Sequence, residues 1–427
     1  MQIRKCKDQP NIMKYIQLYL GATLILYIFG PIQWKTKNPI LTISLLIVFQ
    51  LSYALGFYSS KEKEFIEDNN FNNKWLLKYY CLFAVISIAM NVVYLIRVAR
   101  LVAGRSVLDV ISMAFTNPSG LYGGGGTVTS SQMFGGKFFA ILVPVFGPIT
   151  VAIIPITIVY FKQLSLMGKT LGVFSFVSQL FLSLSAGTSE GIVNIIIYLI
   201  TGFLLKNRSN RKSNRKITMI ILIATVVVFL SLFSFVMENR NKGSFSLSLG
   251  GNKIDFNNAL LLMLPENLKA LLIYLTIYIT QGYYGMSLAT ACSWTPTFGI
   301  GNSLYIIQNV EELFNFDLMR YTYMGQAEVY GWGATVNWHT AYTWIANDVS
   351  FWGVPVVMFF MGRLLRQVLC DARTTKNPIA IGLSAMLIMF SVFIPANNKI
   401  LAAPQTFVAF FVFLIIWIFQ RRVVVFK

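Results

Sequence analysis

The chain has 427 residues, of which 56% are hydrophobic and only 12% charged. A soluble domain carries about 25% charged residues, so this composition excludes an ordinary water-soluble fold. The formal net charge of +19 invites a nucleic-acid reading, which the placement of the charges along the chain removes.

An apolar stretch of about 20 residues crosses a bilayer as a helix. No water is present there to satisfy backbone groups, so such stretches must be helical, whereas membrane strands would alternate apolar and polar residues. Ten such spans follow in chain order: Ile12–Ile32, Ile40–Phe57, Trp75–Leu95, Phe138–Tyr160, Leu171–Leu184, Ile192–Leu205, Ile217–Val236, Phe351–Leu369, Pro378–Ile394 and Ile400–Phe419. The first follows a basic stretch (Arg4, Lys5, Lys7, Lys14), as a signal peptide would, but it is too long and lacks a small-residue cleavage site; a retained helix is predicted. The fifth and sixth are short and are joined by the turn Ser185–Gly191, which predicts a hairpin. A weaker stretch, Leu268–Ile279, is flanked by Pro265 and the polar run Gln281–Tyr284 and predicts a short or partly embedded helix. The fold class is all-α: a polytopic integral membrane protein with ten or more transmembrane helices and a long extracytoplasmic loop. Residues 1–236 carry about seven spans, 237–350 form the loop, and 351–427 carry three more.

Placing the N-terminus inside puts 23 of the 35 Lys and Arg and 6 of the 16 Asp and Glu on the inner side, leaving 12 and 10 outside. That asymmetry is the positive-inside pattern, and it predicts cytoplasmic termini. The basic runs Lys206–Lys216, Arg363–Lys376 and Arg421–Lys427 all fall inside and read as orientation signals, with binding to acidic lipid or a partner as the alternative, rather than as a nucleic-acid surface. One His and four scattered Cys supply no zinc set, so neither a metal nor another cofactor is expected.

The predicted spans are nearly free of Asp, Glu, Lys and Arg, which argues against an ion-coupled transporter. Polar chemistry gathers outside instead. Arg97, Arg100 and Arg105 sit beside a membrane end; arginines there hold a lipid diphosphate through their planar fork or snorkel to headgroups. Five of the eight Trp fall in or beside the long outer loop. This is either an interfacial aromatic belt or a set of faces on which sugar rings stack, among them Tyr283, Tyr284 and Trp338. The segment Arg320–Gly353 packs Arg320, Glu328, the lone His339 and Asp348 among aromatics. Imidazole suits proton transfer near neutral pH, and Glu328 and Asp348 are the other candidate catalytic groups. Gly187–Gly191 matches G-x-S-x-G, but helices flank it rather than the strand and helix of a nucleophile elbow. The run Gly123–Gly126 lacks the Lys-Ser/Thr of a P-loop.

The layout of many spans, paired short helices and a long loop before the last spans resembles the bacterial oligosaccharide repeat-unit polymerases (O-antigen polymerases, Wzy), relatives of the O-antigen ligases. Tyr283-Tyr284-Gly285, Thr297-Phe298-Gly299 and Ser303-Leu304 read like that family's loop entry. The stretch from Thr340 through Asp348 to Gly353 is similar to its Thr…Asp-Phe-Gly…Gly pattern, with Val349-Ser350 after the Asp here. The ligases carry His, a small polar residue, nine residues and then Gly-x-x-Gly; His339-Thr340 precedes Ser350 and Gly353 at those offsets, with Ser for the first Gly. Glu190 stands in the turn where the family often has Arg, so that Arg320 or the Arg97–Arg105 group would hold the diphosphate. The resemblance implies a metal-independent glycosyltransferase of the bacterial cytoplasmic (inner) membrane. It would polymerise undecaprenyl-diphosphate-linked oligosaccharides into lipopolysaccharide or capsule polysaccharide, alongside membrane lipid and a chain-length regulator protein. A ligase, a transporter or flippase of lipid-linked sugar, and a membrane acyltransferase are the alternatives.

Overall fold

The computed structural model describes residues 3–4, 12–60, 65–66, 74–101, 105–116, 121, 137–185, 190–206, 227, 230–238 and 250–425. Within them the chain is a helical bundle built from α1 (Ile12–Phe29), α2 (Pro39–Ser59), α3 (Lys74–Leu101), α4 (Val107–Thr116), α5 (Lys137–Tyr160), α6 (Leu166–Ser185) and α7 (Glu190–Leu205). It continues through α8 (Glu266–Ala289), α9 (Leu304–Phe314), α10 (Ala341–Thr374), α11 (Pro378–Phe393), α12 (Lys399–Ala402) and α13 (Pro404–Val425). Among the described residues six helices, α1, α2, α3, α5, α6 and α10, are long and apolar enough to cross a membrane, and α7, α11 and α13 are shorter apolar helices. This is an all-α protein with the character of a membrane-embedded bundle.

The expected seventh span lies largely outside the described residues, of which 230–238 are helical; the glycine run Gly123–Gly126 and most of the run Lys206–Lys216 lie outside them too. Two expected elements differ from the structure. The last span is broken: Ala403 is extended (φ −127°, ψ 150°) between α12 and α13. The cause is Pro404, whose ring pushes the preceding residue out of helical geometry. Conversely, the stretch read as a short helix at Leu268–Ile279 is a 24-residue helix, α8, that runs straight through Gln281–Tyr284. Its polar groups have partners inside the bundle, so they do not end it: Thr280 Oγ1 accepts from the Trp34 indole at 3.0 Å, and the Tyr283 and Thr23 hydroxyls bond at 2.8 Å.

Glycines let the helix backbones meet closely, the usual device of helices packed in lipid. α2 and α10 share the most extensive interface, where a Cβ at Gly56 would overlap the Phe359 carbonyl and one at Gly362 the Tyr53 carbonyl. Hydrogen bonds sort the connections into two ends. At one, the Tyr160 hydroxyl donates to the Lys376 carbonyl at 2.5 Å and the Arg373 guanidinium to the Leu204 carbonyl at 2.8 Å. At the other, Ile32–Gln33 between α1 and α2 pairs antiparallel with Lys253–Ile254, and the segment from α8 to α10 folds over the helix ends.

Candidate functional site

The connection between α1 and α2 is short and firmly held. Gly30 and Pro31 end α1, the two-residue strand turns the chain, and Pro39 at the start of α2 sets a helical φ. Between them the Trp34 indole donates to Thr280. The Lys35 amide donates to Asn252 Oδ1 at 2.7 Å, and the Thr36 hydroxyl meets the Tyr27 hydroxyl at 2.8 Å. The Lys37 amide donates to Ser287 Oγ at 3.3 Å, and the Asn38 amide group donates to the Thr290 carbonyl at 3.4 Å. The Trp34 ring stacks on Tyr284 of α8 (5.1 Å between centroids, 22° between planes), and the buried Trp332 meets Tyr284 edge-on at 4.9 Å.

This frame borders a cavity of about 780 Å³ lined by Trp34, Lys35, Thr36, Lys37, Pro39, Gly250, Tyr284, Leu288 and Tyr330. That volume lies in the range of about 300–1,000 Å³ typical of small-molecule sites. The Lys37 ammonium lies 5.4 Å from the centre of the Tyr330 ring. Of the expected substrate-binding residues only Tyr284 is on this wall. The other four side chains that give it its character, Trp34, Lys35, Lys37 and Tyr330, were missed by sequence reasoning. The available signal was Trp-Lys-Thr-Lys in a connection too short to need any of them.

His339 does not reach the cavity. Its side chain is 1% exposed, and neither ring nitrogen makes a well-formed hydrogen bond. The ring sits against α8 at Gly285, where a Cβ would come within 3.0 Å of His339 Nδ1 and within 2.9 Å of the Trp338 carbonyl. Burial pulls the imidazole from 6.5 down to about 4, only partly offset by the Gly333 backbone. Burial therefore holds His339 neutral and leaves it no opening to the cavity in this structure. Trp338 is half-buried and packs edge-on against Tyr278 at 5.0 Å. Tyr283 is fully buried, its hydroxyl turned to Thr23 between α1 and α8, so it serves packing.

Asp348 organises a second feature. Its Oδ1 accepts from the Thr297 hydroxyl at 2.6 Å, the Gly299 amide at 2.8 Å and the Gly301 amide at 3.1 Å, while Oδ2 is buried without a partner. The neighbouring Asn347 bonds the Gly301 carbonyl and the Tyr323 amide. Phe298 and Gly299 take positive φ (52° and 89°), and so does Ser350, where α10 breaks at φ 57°, ψ 169°. Only glycine adopts that last conformation readily, and Ser350 stands where the ligase pattern has its first glycine. With three donors on one oxygen, Asp348 acts as the clamp between the loop 297–301 and the break in α10.

Glu328 is exposed in the turn that leads to Tyr330, and its Oε1 accepts from the Ala334 amide at 2.9 Å. This fixes a carboxylate two residues from the cavity wall with its second oxygen free of that bond. Arg320 is exposed in the turn Met319–Tyr321. Arg97 is half-buried and Arg100 exposed on α3, which packs with α5 and α6, and Arg105 lies against Met113 Sδ. None of the four arginines lines the cavity. Glu190 begins α7 and pairs with Lys399 of α12, which is 8% exposed. A carboxylate repels a diphosphate, and this one is joined to a buried ammonium; sequence reasoning did not identify Lys399 as its partner. No protein-family model matches the chain, and no curated protein or solved structure matches it.

Proposed function

We propose that this protein is a membrane glycosyltransferase that polymerises undecaprenyl-diphosphate-linked oligosaccharide repeat units on the outer face of the bacterial cytoplasmic membrane. In this reading ten or more helices span the membrane, both termini are cytoplasmic, and the segment 237–350 lies outside. The observation that carries the reading is the cavity walled by Trp34, Tyr284 and Tyr330. Flat aromatic faces suit the C–H faces of sugar rings; Trp34 and Tyr330 are the more open ones, with Tyr284 stacked behind Trp34, and the cavity lies at the helix ends that the charge asymmetry assigns to the outside.

The chemistry is a single transfer. The acceptor sugar hydroxyl gives its proton to Glu328, its oxygen bonds to the anomeric carbon of the donor chain, and the bond from that carbon to the lipid diphosphate breaks. The leaving diphosphate keeps the electron pair, and exposed arginines such as Arg320 stabilise the developing charge. Asp348 keeps the loop 297–301 in place, and His339 fills the packing behind α8.

Deleting the gene and resolving surface glycan by size tests this. Single repeats on the surface support the polymerase, and complete polymer that stays on its lipid carrier indicates a ligase. Absence of surface glycan of any length indicates a flippase.

A further inference from the structure

The geometry points to a more specific substrate: the saccharide held in the Trp34–Tyr284–Tyr330 cavity carries an acidic group, a carboxylate on the sugar ring as in a uronic acid. This rests on the glycosyltransferase reading and names the class of repeat unit it handles. Lys35 and Lys37 both line the cavity, and no Asp or Glu does. Neither ammonium enters an ion pair among the described residues. Both lysines are exposed, yet they stand on a loop whose residues from Trp34 to Asn38 are each hydrogen-bonded to other parts of the fold. Two cations held on a rigid frame meet an anion with little loop-ordering cost.

The aromatic wall decides which anion. A bare phosphate or diphosphate has no apolar face to set against Trp34 and Tyr330. An acidic sugar has both parts, a ring face for the aromatics and one charge for the lysines. In the proposed reaction the lipid diphosphate falls to arginines such as Arg320, which leaves the two lysine ammonium groups for a charge on the sugar itself. The Lys37 ammonium stands over one face of the Tyr330 ring, so a sugar would meet the rest of the aromatic wall with its carboxylate directed to that ammonium.

The test uses the full chain in phosphatidylcholine nanodiscs and isothermal titration calorimetry. The probes are a glucuronate-containing hyaluronan tetrasaccharide and the same tetrasaccharide with its carboxyls reduced to alcohols. The acidic form is expected to bind about tenfold more tightly at low salt, the scale of one charge-assisted contact. Lys35→Gln/Lys37→Gln is expected to remove that difference at an unchanged melting temperature, since both side chains are exposed. Equal binding of the two probes, binding of neither, or a preference that survives in the double variant would overturn the inference. So would displacement of the tetrasaccharide by pyrophosphate at equal ionic strength, which would assign the lysines to the lipid diphosphate. Single repeats in the deletion strain without an acidic preference reject the inference and keep the polymerase; an acidic preference with no surface glycan of any length does the reverse.

Discussion

His339 offers a sharp physical test, because its burial couples folding to pH. The imidazole is held near 4 in the folded chain, against an ordinary value of 6.5. A histidine with a depressed folded-state pKa binds its proton more readily when the chain unfolds. Stability is then full above about pH 6.5, is lost progressively as pH falls toward 4, and levels off below that, where both states are protonated. A shift of that size corresponds to about 3 kcal/mol across the window, at 1.36 kcal/mol for each pH unit. The perturbation is His339→Gln, which keeps hydrogen-bonding capacity but does not titrate there. Thermal or denaturant unfolding in detergent between pH 7 and 4, compared for the two proteins, isolates the imidazole from the carboxylates that titrate in both. Parallel stability curves would refute the burial argument. The same variant, at normal protein level, is expected to keep extending glycan chains; loss of extension would return His339 to the role of base.

Glu328→Gln preserves the acceptor for the Ala334 amide and removes the base, so chain extension should fall by about 10²–10⁴ at normal protein level. A full-length glycan ladder would remove Glu328 from the chemistry. Gly56→Leu drives a side chain into the Phe359 carbonyl and should destabilise the bundle by about 1–3 kcal/mol, read as a lower melting temperature in detergent; no change would mean that α2 and α10 are not so close. Ser350→Gly relieves a backbone conformation that costs about 1–3 kcal/mol and should raise the melting temperature, whereas a drop would show that the serine is stabilising there.

Composition and periodicity determine the class of this protein because a bilayer admits few solutions. Uninterrupted apolar runs must be helices, and their lengths and the Lys/Arg asymmetry can be counted without coordinates. Helix boundaries such as Glu190–Leu205 and Pro378–Phe393 were legible for that reason, as was the turn chemistry around Pro404 in principle. The candidate site was less legible, because it depends on contacts between residues far apart in the chain. Trp34 meets Tyr284 across 250 positions and Glu190 meets Lys399 across 209, and no local pattern announces either. Residue type alone also cannot report exposure: a lone histidine amid carboxylates reads as a base until packing against Gly285 closes it off, and Tyr283 and Tyr284 look alike until one faces α1 and the other the cavity. Only the tertiary structure decided which polar groups are open, since burial is set by what the rest of the chain places around each side chain.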